Sequence, residues 1–203
     1  MTLWGATDSD ESKPKNLTTA EKKQVFANSS GWVLEAGSSL SGNDNTSATP
    51  EVLVAIGGLA TSIGAADVTE VEWITTAADK SAGFTLSVRV RYNEAVTVTG
   101  SPTIAVTNGN QGSGSGRGPH TLVYASGTGT NELVFSLAIA AANAATNAND
   151  VLSIGTNPMN LNSGTIKDAG TNTASTITSA ASIGTAAGTV TVCLLYTSDA
   201  ADE

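Results

Sequence analysis

Between Phe84 and Tyr92 apolar and polar positions alternate without a break. Phe84, Leu86, Val88, Val90 and Tyr92 face one way, and Thr85, Ser87, Arg89 and Arg91 face the other. A period of two is the signature of a strand with one buried face. Leu133, Phe135, Leu137 and Ile139 repeat that period. Shorter runs at Thr103–Thr107, Thr121–Ala125, Val151–Ile154, Thr165–Lys167 and Thr189–Val192 share the texture and are divided by turn-rich segments. Several short strands at regular spacing predict a sandwich or barrel. Pro102 and Pro158 fall just before or between these strands, where a missing amide hydrogen costs least.

Upstream, Val68–Thr75 predicts a strand with Val71, Trp73 and Thr75 on one side and Glu70, Glu72 and Ile74 on the other, followed by a turn at Ala77–Ser81. Thr18 stands three residues before Glu21, a capping-box spacing, and Val25 and Phe26 follow before Asn28. This pattern predicts a helix of about two to three turns across Thr18–Asn28. Gly31–Leu34 and Val52–Ile56 are β-rich runs separated by a Gly/Asn/Ser/Pro loop. The expected organisation is therefore mainly β. A small N-terminal segment, 1–66, carries one short helix and a few paired strands, and an antiparallel β-sandwich covers 67–192.

Composition agrees with this reading. Only 4% of the 203 residues are aromatic and 13% are charged, with 21 glycines. Globular domains carry about 25% charged residues, so this surface is built largely from hydroxyls and amides. The formal charge is −9, and basic residues are scattered apart from Lys13, Lys15, Lys22 and Lys23. No electrostatic footprint for a phosphate backbone results, and nucleic acid is not an expected partner. No apolar run is long enough to cross a membrane, so membrane insertion is not expected. The start MTLWGATDSDE has neither a basic n-region nor an apolar h-region, which argues against a conventional signal peptide.

The last eleven residues, CLLYTSDAADE (193–203), break from the Thr/Ala/Gly/Val texture before them. They resemble the translation of a transposase sequencing adapter, and 193–203 is set apart from the fold on that ground. The single cysteine, Cys193, lies in this segment, so none remains in 1–192 for a disulfide or a metal. Without Asp199, Asp202 and Glu203 the acidic count falls from 18 to 15 against 9 basic residues, a net −6.

Three segments carry a resemblance. YNEAVTVTGSPTIAVTNG (92–109), YASGTGTNELVFSLAI (124–139) and LNSGTIKDAGTNTA (161–174) are similar, in the same order, to the SwmB-type Ig-like repeat of bacterial cell-surface and adhesin-like proteins. The resemblance spans roughly half the chain and implies an Ig-like sandwich. It departs at QGSGSGRGP (111–119) and at AANAATNAN (141–149), which replaces a more acidic turn, so no calcium site is carried over. The opening MTLWGATDSDESKPKNLTTAEKKQVFANSSGWV resembles the start of virion structural proteins of large contractile-tailed phages of marine bacteria. Together they imply a virion protein displaying an Ig-like domain as capsid or tail decoration or fibre. Other virion proteins are its implied partners, with host-surface glycans as a second class, and the particle surface its implied location. The alternative is a fragment of a bacterial cell-surface adhesin with Ig-like repeats.

No residue set is assigned to catalysis, a cofactor or a metal, and the chain is not expected to be an enzyme. His120 sits by Pro119 in a glycine-rich loop and is expected to be solvated, because triad and zinc logic both lack members. Ser126 lies in YASGTGT as a turn residue, without a G-x-S-x-G elbow. Glu94, Asp150 and Asp168 lie at strand ends and give the one metal argument with substance, since calcium prefers hard oxygen ligands from loops. They lack D-x-D-x-D spacing and are expected to be solvated turn residues. Gly112, Gly114, Gly116 and Gly118 predict a hairpin tip, with no strand-to-helix context for phosphate. Arg89 and Arg91 are expected on a solvated sheet face, with acidic groups of another subunit as the sharper alternative. Trp32 and Trp73 are expected to fill a small core, and Trp4 is the candidate docking anchor.

Overall fold

The computed structural model describes residues 13–14, 16–109, 119–179 and 181–194. Trp4 and Gly112, Gly114, Gly116 and Gly118 lie outside them, as does all of the 193–203 tail beyond Leu194. In chain order the elements are α1 (Thr19–Lys22), β1 (Val25–Asn28), β2 (Gly31–Leu34), β3 (Glu51–Ala55), a 3-10 turn (Leu59–Thr61), β4 (Val68–Trp73), β5 (Ala78–Asp79) and β6 (Phe84–Thr99). They continue with β7 (Thr103–Gly109), β8 (His120–Ser126), β9 (Thr130–Ile139), β10 (Val151–Asn160), β11 (Thr165–Asp168), α2 (Ala181–Ala186) and β12 (Thr189–Cys193).

The chain is mainly β, and its sandwich is one mixed sheet whose order runs β3-β2-β1-β6-β9-β8-β7-β10-β12-β5, with β4 and β11 also paired to β6. The sheet does not close into a barrel. Trp73 of β4 donates its indole N–H to the Gly188 carbonyl, 3.2 Å away, just before β12. Helix α2 packs on β10 and β4.

The alternation that begins at Phe84 continues further than its apolar members suggest. Leu86, Val88, Val90, Tyr92, Glu94 and Val96 of β6 are all buried, while the intervening residues are partly exposed up to Ala95. Leu133, Phe135 and Ile139 of β9, Leu122 of β8, Ile104 and Val106 of β7, and Leu152 and Ile154 of β10 meet them in one core. Each such aliphatic or aromatic side chain contributes about 1.5–3 kcal/mol on leaving water. A second, smaller core holds Val25, Ala27, Trp32, Leu34, Ile56 and Leu59, which makes the N-terminal unit a packed body of its own.

The helix expected across Thr18–Asn28 is a single turn. The capping box does form, with Thr18 and Glu21 satisfying each other's backbone amides. Val25–Asn28 is instead a strand, paired antiparallel to β2. Asn28 Oδ1 accepts the Ser30 amide at 2.7 Å, closing a tight turn. Gly31 follows at φ 132°, where a Cβ would run into the Val54 carbonyl. A helix this short is marginal by itself, and β-branched Val25 gains more from the hairpin.

Three further differences follow from pairing between distant segments. The expected turn at Ala77–Ser81 contains β5, held parallel to β12. Strand β10 runs on past Ile154 to Asn160, with an irregularity between Ile154 and Met159 that accommodates Pro158. Cys193, assigned to the tail, extends β12 opposite Asp79, and its carbonyl accepts the Lys80 amide at 2.8 Å. Pairing by main-chain groups is indifferent to which side chain arrives there.

Candidate functional site

Two polar clusters stand on opposite faces of β6, close to where β1 joins it. On the outward face Arg91 is the hub. Its Nε donates to Glu132 Oε1 of β9 at 2.7 Å and its Nη1 to Glu70 Oε2 of β4 at 3.0 Å. Its Nη2 lies 3.5 Å from Glu72 and 3.7 Å from Glu35 at the end of β2. Arg89 Nη1 donates to Glu72 Oε1 at 2.9 Å, and Lys23 pairs with Glu70. The Arg91 side chain is only 11% exposed. Burial would lower its pKa, yet the Glu132 hydrogen bond and the charges of Glu35, Glu132 and Glu72 hold it above the ordinary arginine value.

The solvated face expected for Arg89 and Arg91 is thus corrected. The acidic partners exist, but they belong to the same chain, and the N-terminal unit supplies one of them. Glu35 also accepts from Asn131 Nδ2 at 2.7 Å, a second tie between unit and sandwich. Burial, then the charge of Glu132, raises the Glu35 carboxyl, with Arg91 and Asn131 opposing. Lys13 donates to the Lys22 carbonyl at 2.7 Å, and burial brings its pKa down to about 8 against the attraction of Glu35. A cleft of about 380 Å³ opens along this seam, lined by Lys23, Gln24, Glu35, Glu72, Arg89 and Glu132 among others.

On the inward face the solvated reading of Glu94, Asp150 and Asp168 is also corrected, because all three are buried. Glu94 is 1% exposed, and neither carboxylate oxygen has a hydrogen-bond partner among the described residues. Asp168 is also 1% exposed. Its Oδ1 accepts the amides of Gly170 at 2.6 Å and Thr171 at 2.9 Å, while its Oδ2 is buried without a donor. Asp168 stands opposite Val96 in the β6–β11 register, which makes Glu94 its diagonal neighbour on the inward face. Burial first, then the charges of Asp168 and Asp67, pushes the Glu94 carboxyl up to about 8.

Asp150 lies elsewhere. Its Oδ2 accepts from Asn108 Nδ2 at 3.0 Å and from the Asn147 amide at 2.8 Å. His120 is the first residue of β8 and is buried, in contrast to the solvated loop position expected for it, because β8 starts earlier and pairs His120 with Val106. Its Nε2 lies 3.0 Å from Thr146 Oγ1, and burial lowers its pKa against the pull of Asp150. Both partners are sealed from solvent, so this is a packed polar contact that no substrate reaches. Ser126 ends β8 and is exposed. Trp32 is in the N-terminal core, and Trp73 packs half-buried against the main one.

Among the described residues no three His, Cys, Asp or Glu stand together at metal-holding distance. Among them, too, no helix is long and apolar enough to cross a membrane. Comparison with protein-family models, with curated proteins and with solved structures returned no match.

The sequence singles out Glu94 and Asp168 but places them in solvent, for an identifiable reason. Glu94 has the same parity as Tyr92, and extending the alternation two more residues would have placed it inside. The ion-pair seam had no comparable local signal, because Glu35, Glu70 and Glu132 are brought to Arg91 only by strand pairing.

Proposed function

We propose that the chain is a virion structural protein of the decoration or fibre kind, in which the Ig-like sandwich is displayed and the N-terminal unit faces the particle. The observation that carries this reading is the seam. A separately cored unit is fixed to one face of the sandwich by the Arg91 cluster and Asn131, and its outermost strand, β3, ends the sheet with an edge that is unpaired among the described residues. Val52 and Leu53 on that strand are 47% and 38% exposed. An open strand edge with apolar side chains is suited to receiving a strand of a neighbouring virion protein. Many copies on one particle then multiply weak contacts with host-surface glycans through effective concentration.

The reading assigns no catalytic step. The seam's carboxylates lie in a cleft, but Glu70, Glu72 and Glu132 are each tied to arginine, and Glu35 to Asn131 and Arg91. Glycoside hydrolysis needs a carboxyl pair free to protonate and attack.

The test is to express the chain with the genes that flank it and assay purified particles. Co-sedimentation of the protein with assembled capsids or tails supports the proposal. Recovery only in a bacterial envelope fraction favours the adhesin alternative, and depolymerisation of surface glycans by the purified protein overturns the structural reading.

A further inference from the structure

We propose that Glu94 and Asp168 are the protein ligands of a hard divalent cation of the calcium class, seated beside the junction of β1 and β6. The argument starts from parity. Inward positions of β6 are apolar on both sides of Glu94, with Tyr92 before it and Val96 after it. A carboxylate at that position is costly to keep unless something binds it.

Three oxygens, both of Glu94 and Oδ2 of Asp168, are buried with no donor among the described residues. The β6–β11 register puts their side chains on one face as diagonal neighbours. Among the described residues, the same parity turns the neighbouring cations of β6 and β11 away. Arg89 and Arg91 occupy outward positions of β6 and are engaged with Glu72, Glu70 and Glu132, while Lys167 precedes Asp168 and so points from the other face of β11. Asp67 adds negative potential and has one oxygen engaged by the Thr176 hydroxyl.

Clustered carboxylate oxygens without N–H donors suit a hard cation. Calcium tolerates irregular shells of six to eight oxygens that include main-chain carbonyls and water, whereas magnesium demands near-ideal octahedral geometry. With two carboxylates as the protein's acidic ligands, calcium affinity belongs at the weak end, a Kd of about 10⁻⁴–10⁻³ M, typical of extracellular modules. Ala27 pairs with Glu94, and the Ala169 amide donates to the Ala95 carbonyl at 3.0 Å, so the ion would fasten β11, β6 and the N-terminal unit at one point. This site is separate from the turn at 141–149 and does not depend on the virion reading.

The experiment uses the full chain, stripped with EDTA and held near pH 8, titrated with calcium chloride by calorimetry and melted with and without calcium. The expected result is one site per chain and a calcium-dependent rise in Tm that magnesium at equal concentration does not match. Glu94→Gln keeps the shape, should melt higher than the wild type in EDTA, and should weaken calcium binding more than about tenfold. Asp168→Asn should likewise lose the calcium response. A wild type with no heat and no Tm change overturns the proposal, as does a calcium response that survives in Glu94→Gln. In the first case, stabilisation on acidification would assign the pair a shared proton.

Discussion

Arg91 and Glu132 stand directly opposite each other in the β6–β9 register, and Arg91 Nε donates to Glu132 Oε1 across 2.7 Å. Their contact is the centre of a cluster in which one largely buried guanidinium answers carboxylates from β2, β4 and β9. Replacing Arg91 with Met should therefore destabilise the protein by about 3–5 kcal/mol, because it strands Glu35, Glu70 and Glu132 together. Arg91→Lys should recover little, since a point charge cannot reach the several directions the guanidinium serves. Urea denaturation followed by tryptophan fluorescence measures both, and a loss below 1 kcal/mol for Arg91→Met would mean that water already screens the cluster.

The Glu94 carboxyl gives a pH dependence of definite sign. Its pKa rises from an ordinary 4.5 to about 8 in the folded state, so the folded protein holds a proton that the unfolded chain releases. Stability without divalent cations is then greatest at the acid side of this window and falls as pH rises toward 8. The raised Glu35 carboxyl acts in the same direction. His120, kept neutral by burial, opposes the trend around and below its ordinary 6.5, so the cleanest interval lies between 6.5 and 8. Lys13, lowered to about 8, acts above that interval. Melting curves in EDTA should show Tm dropping across it, and Glu94→Gln should flatten the slope.

Gly31 offers a test of whether the N-terminal unit opens separately from the sandwich. At φ 132° and against the Val54 carbonyl, Gly31→Ala combines backbone strain with a clash in the β2–β3 pairing. Amide exchange should accelerate at Val25–Leu34 and Glu51–Ala55, while Leu86–Val90 and Leu133–Phe135 stay protected. Uniform acceleration would instead show that the two cores unfold as one.

Phe135 is fully buried and meets the Tyr124 ring edge-on at a centroid distance of 6.0 Å. Phe135→Ala should cost about 3–5 kcal/mol, and Phe135→Leu clearly less, because the cavity term shrinks with the missing volume. Chemical denaturation of the pair of variants separates burial from the aromatic contact.

What the sequence makes legible is the part of the fold encoded by period. Phe84–Tyr92 and Leu133–Ile139 are strands with the predicted buried face, and the Thr18–Glu21 cap forms where its spacing places it. What stays hidden depends on partners distant in the chain. Val25–Phe26 looks helical until Val33 and Leu34 pair with it, and Ala78–Asp79 is a turn until β12 arrives. Asp168 looks like a solvated turn residue until β11 lays it beside Val96. Charged residues mislead most, because their inward or outward placement is fixed by strand parity rather than by hydropathy.

Strand β6 has a mechanical consequence. It is 16 residues long and pairs with β1, β4, β9 and β11. A tensile load along it strains the rungs to β4, β9 and β11 together, in shear, whereas a pull perpendicular to the outer edge would unzip β3 from β2 one rung at a time. The molecule is accordingly stiff along one axis and yielding across another, and the axis of stiffness is the strand that the alternation at Phe84 first makes visible.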